Sequence, residues 1–266
     1  MKLHPLTPCF FALVFLNSCK KPGQNENLTE QLAKEVAEEV KSAGNAEWKK
    51  SDTPILPLTV GDHWVYQVKL QVPANAQSPG SPAISQDFVR KRTYKGKVKP
   101  TGDHPETDCF EIEATGSPIE REFVEIDDEK VQMRGSEIVG AAQQSPTWLD
   151  PAVMLVRAGV MPGESLPPLQ IKDPRTGIEV IRTIQVVGRE TVTAAGRDFA
   201  TIRILMTGKE GKDSNLEMRK TIWFVPRYGI VREEKARYIN DTLMLKETME
   251  LKSFQLAKDP DAVKEP

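Results

Sequence analysis

The sequence predicts a mainly β protein: antiparallel strands in one or more curved sheets, preceded by a short helix. Three observations carry this reading. From residue 55 onward apolar side chains recur at every second position, the period of a half-buried strand. Turn-forming clusters separate the alternating runs at short intervals, which favours hairpins over βαβ crossovers. The second half of the chain also echoes the first. Of the 266 residues, 39% are apolar and 28% charged, enough for a soluble body with a core. The 36 basic and 38 acidic side chains leave a net charge of −2. That balance supplies no field for nucleic acid, so no such partner is expected.

The chain opens with Met1-Lys2-Leu3-His4 and then runs apolar from Pro8 to Leu16. The run is shorter than the roughly 20 residues that span a bilayer and fits a secretory leader. It ends in Leu16-Asn17-Ser18-Cys19, which resembles the lipobox of bacterial lipoproteins. Asn17 stands where that pattern has a small or aliphatic residue. The resemblance implies cleavage before Cys19 and acylation of both its thiol and the new amino terminus. Several acyl chains anchor stably where one is marginal. Lys20 and Lys21 follow, with no Asp at the position that holds Gram-negative lipoproteins at the inner membrane. By the same resemblance the protein is expected at the outer membrane, facing the periplasm. Residues 1–18 are thus read as signal peptide and 19–54 as tether and short helix. Thr29 makes an N-cap-like start, and Leu32, Val36, Ala37 and Val40 repeat at helical spacing, predicting a helix over 29–42.

The strands follow. Trp64, Tyr66, Val68, Leu70 and Val72 alternate with polar neighbours. Residues 73–86 read as a loop, and strands are expected at 87–98, 107–114, 119–126 and 130–134. Asp150 to Val160, with Pro151 at a first-turn position, reads as a short helix. Strands resume at 178–187, 190–193, 199–207, 215–225, 229–238 and 242–253. The charged tail after Phe254 is expected to fray.

The echo is specific. Gly96 and Gly188 lie 92 residues apart, and at that offset Phe110 meets Ile202 and Ile112 meets Ile204. Phe123–Val131 resembles Ile222–Ile230 at an offset of 99, and Val60–Trp64 echoes Pro162–Leu166. Chance alternation between strand–turn–strand segments is the competing explanation. The division expected is a first β unit at 55–137, a connector at 138–157, a second β unit at 158–254 and a flexible tail at 255–266. The two units would pack as one continuous sheet or as two sub-domains.

Three fragments carry a further resemblance: Pro57–Tyr66, Glu190–Phe199 and Trp223–Arg232. Their Gly-x-x-Trp-x-Tyr, Ala-Gly-x-x-Phe and Trp-x-x-Pro-x-x-Gly-x-Val patterns resemble poorly characterised bacterial envelope proteins and lipoproteins. Some of these resemble the curved β-sheet of periplasmic lipoprotein carriers. The resemblance implies a curved open sheet and supplies no catalytic residue. Trp64, Tyr66, Trp223 and Phe224 are its large side chains and form the candidate ligand or core face. Trp223 and Phe224 are adjacent, so they must point to opposite faces.

No motif for nucleotide, acyl-enzyme, metal or redox chemistry occurs, so no cofactor, metal or catalytic residue is expected. His63 and His104 read as solvated or hydrogen-bonded. Cys109 shares a strand face with Glu111 and Glu113, which would raise its pKa rather than activate it. Asp127-Asp128-Glu129 reads as a hairpin tip rather than a Ca²⁺ loop. The basic run from Arg90 to Lys99 reads either as a contact for anionic headgroups or as an edge strand kept soluble by Lys, the edge strand being favoured. The function expected is a non-catalytic, lipid-anchored envelope module with an apolar ligand or a protein partner. The rival is an envelope hydrolase whose carboxylates are scattered along the chain.

Overall fold

A computed structural model describes residues 55–76, 78–140, 146–172, 179–210 and 215–257. The leader, Cys19, the tether, the expected helix at 29–42 and the end of the tail lie outside the described residues. The described chain forms twelve strands and no helix. The first six are β1 (His63–Val72), β2 (Ile84–Val98), β3 (Thr107–Ala114), β4 (Glu120–Ile126), β5 (Lys130–Ile138) and β6 (Thr147–Arg157). The second six are β7 (Ser165–Lys172), β8 (Glu179–Ala194), β9 (Arg197–Glu210), β10 (Leu216–Val225), β11 (Gly229–Ile239) and β12 (Thr242–Gln255). All pairings are antiparallel, in the order β6-β5-β4-β3-β2-β1-β12-β11-β10-β9-β8-β7. The result is one continuous, nearly closed, barrel-like sheet. Every neighbour is consecutive in sequence except β1 and β12, which pair at its centre.

Local chemistry sets the hairpins. Ala195-Gly196 and Asn240-Asp241 both have positive φ at their two central positions, as a two-residue turn that matches strand twist requires. The Ala-Gly of the second fragment is therefore a turn.

Four expectations are corrected. Residues 150–160 are not helical: Asp150–Arg157 belong to β6, within the stretch read as a connector. Pro151 mimics a helix start, yet it is equally at home in an edge strand, and Val153 and Val156 supply β-branched bulk. β7 was not anticipated, because Pro167-Pro168 breaks its alternation with a bulge between Leu166 and Leu169. The runs at 178–187 and 190–193 are one strand, β8, interrupted by a bulge between Val186 and Gly188. Lastly, β2 is flanked by β1 and β3, so the basic strand is central and not an edge.

The two halves repeat one hydrogen-bond pattern. Gly61 N–H donates to Tyr94 O at 2.9 Å, and Gly163 N–H to Val186 O at 2.8 Å. Tyr94 N–H returns to Asp62 O, as Val186 N–H does to Glu164 O. The Asp62 carboxylate accepts from Thr59 N–H at 2.7 Å, and that of Glu164 from Met161 N–H at 3.1 Å. Bulges at Gly96 and Gly188 then place Tyr94 opposite Phe110 and Val186 opposite Ile204. The counterpart of Phe110 is thus Ile204 rather than Ile202, a shift of two residues that keeps the same face.

The inner face carries Trp64, Tyr66, Val68, Phe110, Ile204, Ile222, Val231 and Leu251, all buried. The outer face carries Lys69, Lys91, Glu111, Arg219, Glu234, Lys246 and Glu250. That polarity is the reverse of a barrel embedded in lipid, whose outer band is apolar.

Candidate functional site

The three fragments that share the family-like pattern meet at one end of the sheet. Trp64 Nε1 donates to Tyr228 O at 2.7 Å, and Tyr66 Oη donates to Ile230 O at 3.0 Å. Both reach across β12, Tyr66 to β11 and Trp64 to the turn just before it. Gly229 sits at φ +87°, a conformation that other residues rarely adopt, while a Cβ there would make only ordinary contact with Leu56 Cδ1 at 3.6 Å and Trp64 Nε1 at 4.0 Å. Phe199 packs on Tyr228 with ring centroids 5.4 Å apart, and Phe254 completes the cluster. The Arg197 guanidinium lies 4.5–5.1 Å from all three rings. Ile55 and Leu56 are buried, and Ile55 O accepts from Arg227 N–H at 2.8 Å.

Of the four candidate residues, Trp64, Tyr66 and Phe224 face inward at this end and are almost wholly buried. Trp223 faces outward. Its ring lies under the Arg232 guanidinium, 4.7 Å away, and its indole N–H donates to the Glu190 carboxylate. Charged side chains cover it there, so no second apolar layer is needed. The four residues do not form one surface. Burial, opposed by Arg92 and reinforced by Glu233 and Glu122, pushes the Tyr66 phenol well above its ordinary range.

Farther along, the inner face becomes charged. Glu233, with 5% of its side chain exposed, accepts from Lys220 and Lys235, both at 2.8 Å. Lys235 also lies 3.6 Å from Glu247, to which Arg90 donates at 2.9 and 3.2 Å. Nearer the aromatic end, Arg92 pairs with Glu122 at 3.0 Å and stacks 3.7 Å over the Phe110 ring. Burial alone would raise the pKa of Glu233, but Lys220 and Lys235 reverse this and hold it far below the carboxylate range. Lys235 and Arg90 act likewise on Glu247, against its own desolvation. Lys220 moves down, because desolvation outweighs its one carboxylate, while Lys235, shared by two, moves up.

Although they point inward, Lys220 keeps 27% and Lys235 41% of the side chain exposed. A filled core would bury both. An eight-stranded barrel is about filled by its own side chains, whereas sixteen or more strands leave a channel. Twelve strands lie between, room enough for the exposure that both lysines keep. The sequence reading missed this belt. Its signal was present in Arg232-Glu233-Glu234-Lys235: when consecutive strand residues are all charged, some must point inward.

The remaining candidates are local. His63 Nδ1 lies 3.2 Å from Gly61 O, and His104 stacks on Trp148 at 4.4 Å. Cys109 is buried on the outer face of β3, and its thiol is pushed up to about 12, first by burial and then by Glu111, Glu137 and Glu122. Asp127 Oδ1 accepts from Glu129 and Lys130 N–H, both at 2.8 Å, closing the β4–β5 turn. Among the described residues no group of three His, Cys, Asp or Glu side chains is arranged to hold a metal.

No family model matches the chain, and no curated protein matches it significantly. Two solved structures are similar to it. One is a protein from Bacteroides fragilis named as exported with a YmcC-like fold, at 13% identity and TM-score 0.42, covering 76% of this chain and 99% of that one. The other is from Parabacteroides distasonis and named as a lipoprotein, at 12% identity and TM-score 0.37, covering 77% and 100%. Likenesses this distant assign nothing to the present chain.

Proposed function

We propose that the protein is a non-catalytic envelope module, held at the membrane by acylated Cys19, whose barrel-like body receives a ligand in its interior. The observation that carries the binding reading is the inward-facing Lys220–Glu233–Lys235–Glu247–Arg90 chain with its two partly exposed lysines. A purely structural barrel gains little from such a belt, because well-packed apolar residues stabilise as well or better. The anchor rests on the Leu16-Asn17-Ser18-Cys19 leader. The hydrolase alternative draws less support: Glu233 and Glu247 are both held ionised, whereas carboxylate catalysis needs one protonated partner.

Two measurements test this. Cys19→Ser should move the protein from the membrane to the soluble fraction of an expressing bacterium; retention in the membrane would overturn the anchor. Native mass spectrometry of that secreted Cys19→Ser protein, given a conventional signal peptide and purified without detergent, should show a discrete added mass that dissociates as a small molecule. A clean apo mass that also stays unchanged across an envelope-lipid extract would overturn the binding reading.

A further inference from the structure

We propose that the chamber binds an amphiphile with an acidic headgroup, which Lys220 and Lys235 receive while its apolar body lies along the open end of the sheet. This rests on the reading of the interior as a binding chamber and adds the class of ligand.

The inner face changes character by rows. At the level of Glu233 its neighbours across the sheet are Ile204, Ile222, Met249 and Val68, all buried. One row outward, Lys220, Lys235 and Glu247 stand beside Leu70. The next row holds Met218, Arg237 and Leu245, none of them fully buried, with Arg182 across Gly208. Gly208 adds no side chain; a Cβ there would touch Met218 Cε at 3.5 Å. Burial therefore falls off outward, and half-buried apolar side chains stand beside cations.

The charges do not cancel. Among the described side chains of the belt and the next row, Arg90, Lys220, Lys235 and Arg237 face two carboxylates, Glu233 and Glu247. Lys235 is shared between both acids, and Arg237 Nε is buried without a hydrogen-bond partner. A surplus of donors in a recess, next to Leu70, Met218 and Leu245, fits an anion on an apolar body. An apolar ligand alone would leave the donors unmet, and a free anion would leave the apolar wall wet.

The test is calorimetric binding to the secreted Cys19→Ser protein below micelle-forming concentrations. The probes are dodecanoate, dodecyl phosphate, dodecanol, dodecyltrimethylammonium and inorganic phosphate. The two amphiphilic anions should bind about tenfold more tightly than dodecanol. Whichever of them binds more tightly assigns a carboxylate or a phosphate headgroup. Lys235→Gln should remove most of that preference and leave dodecanol binding intact. Should that variant fail to fold, the wild-type protein still decides: raised salt should weaken the anions and not dodecanol. Equal binding of dodecanol or of the cation would overturn the headgroup assignment and leave the chamber standing. Binding of inorganic phosphate as tight as that of dodecyl phosphate would reduce the site to an ion site and overturn the amphiphile. Binding of none of the five would overturn both the inference and the chamber.

Discussion

Glu233 stands where the inner face of a sheet usually carries Val or Ile. Its charge is tolerable because two ammonium groups reach it at 2.8 Å. Removing the acid and keeping the shape tests that dependence. Glu233→Gln leaves two inward cations with one carboxylate between them and should cost about 2–3 kcal/mol in denaturant unfolding, less than a fully buried pair because both lysines remain partly hydrated. Cys109 makes a second prediction at this scale. With its thiol buried and pushed up to about 12, it should resist thiol reagents at neutral pH in the native protein and react once unfolded. The sequence anticipated the direction of that shift from Glu111 and Glu113. It did not reveal burial as the main cause, because alternation sets Cys109 on the polar face with Glu111 and Glu113, opposite Phe110. Trp64 and Tyr66 were legible as large inward residues. Their hydrogen bonds to Tyr228 and Ile230, both 164 positions away, were not.

At the scale of elements, alternation and turn chemistry located ten of the twelve strands, and the missed pair, β6 and β7, explains why they were missed. Both are the free edges of the sheet. Edge strands have one side unpaired, so they tolerate Pro151, Pro167 and Pro168, residues that erase the alternating signature elsewhere. The same prolines remove N–H groups that would otherwise zip the seam between the edges, which keeps the barrel from closing. β6 is held from its other side at a close backbone approach: a Cβ on Gly135 would lie 2.1 Å from Thr147 O. Gly135→Ala should therefore force β5 and β6 apart. The expected outcome is lost hydrogen-exchange protection across Thr147–Arg157, with β10–β12 unaffected. Protection unchanged in β6 would show that the backbone can shift to admit a methyl group.

For the whole molecule, the belt sets the pH response. The Glu233 and Glu247 carboxyls are depressed, so their stabilisation is present above the ordinary glutamate range, about 4.3, and drains away as pH falls below it. Lys235 is raised, so its contribution holds through neutral pH and is lost only well into the alkaline range. Lys220 is lowered and works the other way, costing stability wherever it must carry its charge. The unfolding midpoint should therefore fall on the acid side, and Glu233→Gln should flatten that fall; an acid limb of equal slope in the variant would place the sensitivity elsewhere. The fold class was legible because period two is a local signal. The single continuous sheet was not, since it depends on β1 meeting β12 across almost the entire described chain.

That meeting has a consequence for assembly. The strands at the two ends of the described chain are hydrogen-bonded neighbours, and Ala257 N–H donates to the Asp62 carboxylate at 2.7 Å. The free edges fall at mid-chain instead, at the β6–β7 link. Joining residue 257 to residue 55 by a short linker and opening the chain between Ala158 and Glu164 would turn the molecule into a plain up-and-down meander, every strand beside its predecessor. The natural order must bring two remote strands together before its centre exists, whereas the permuted order never has to. Since local contacts speed folding, the permutant should refold faster than the parent while reaching the same twelve-stranded sheet.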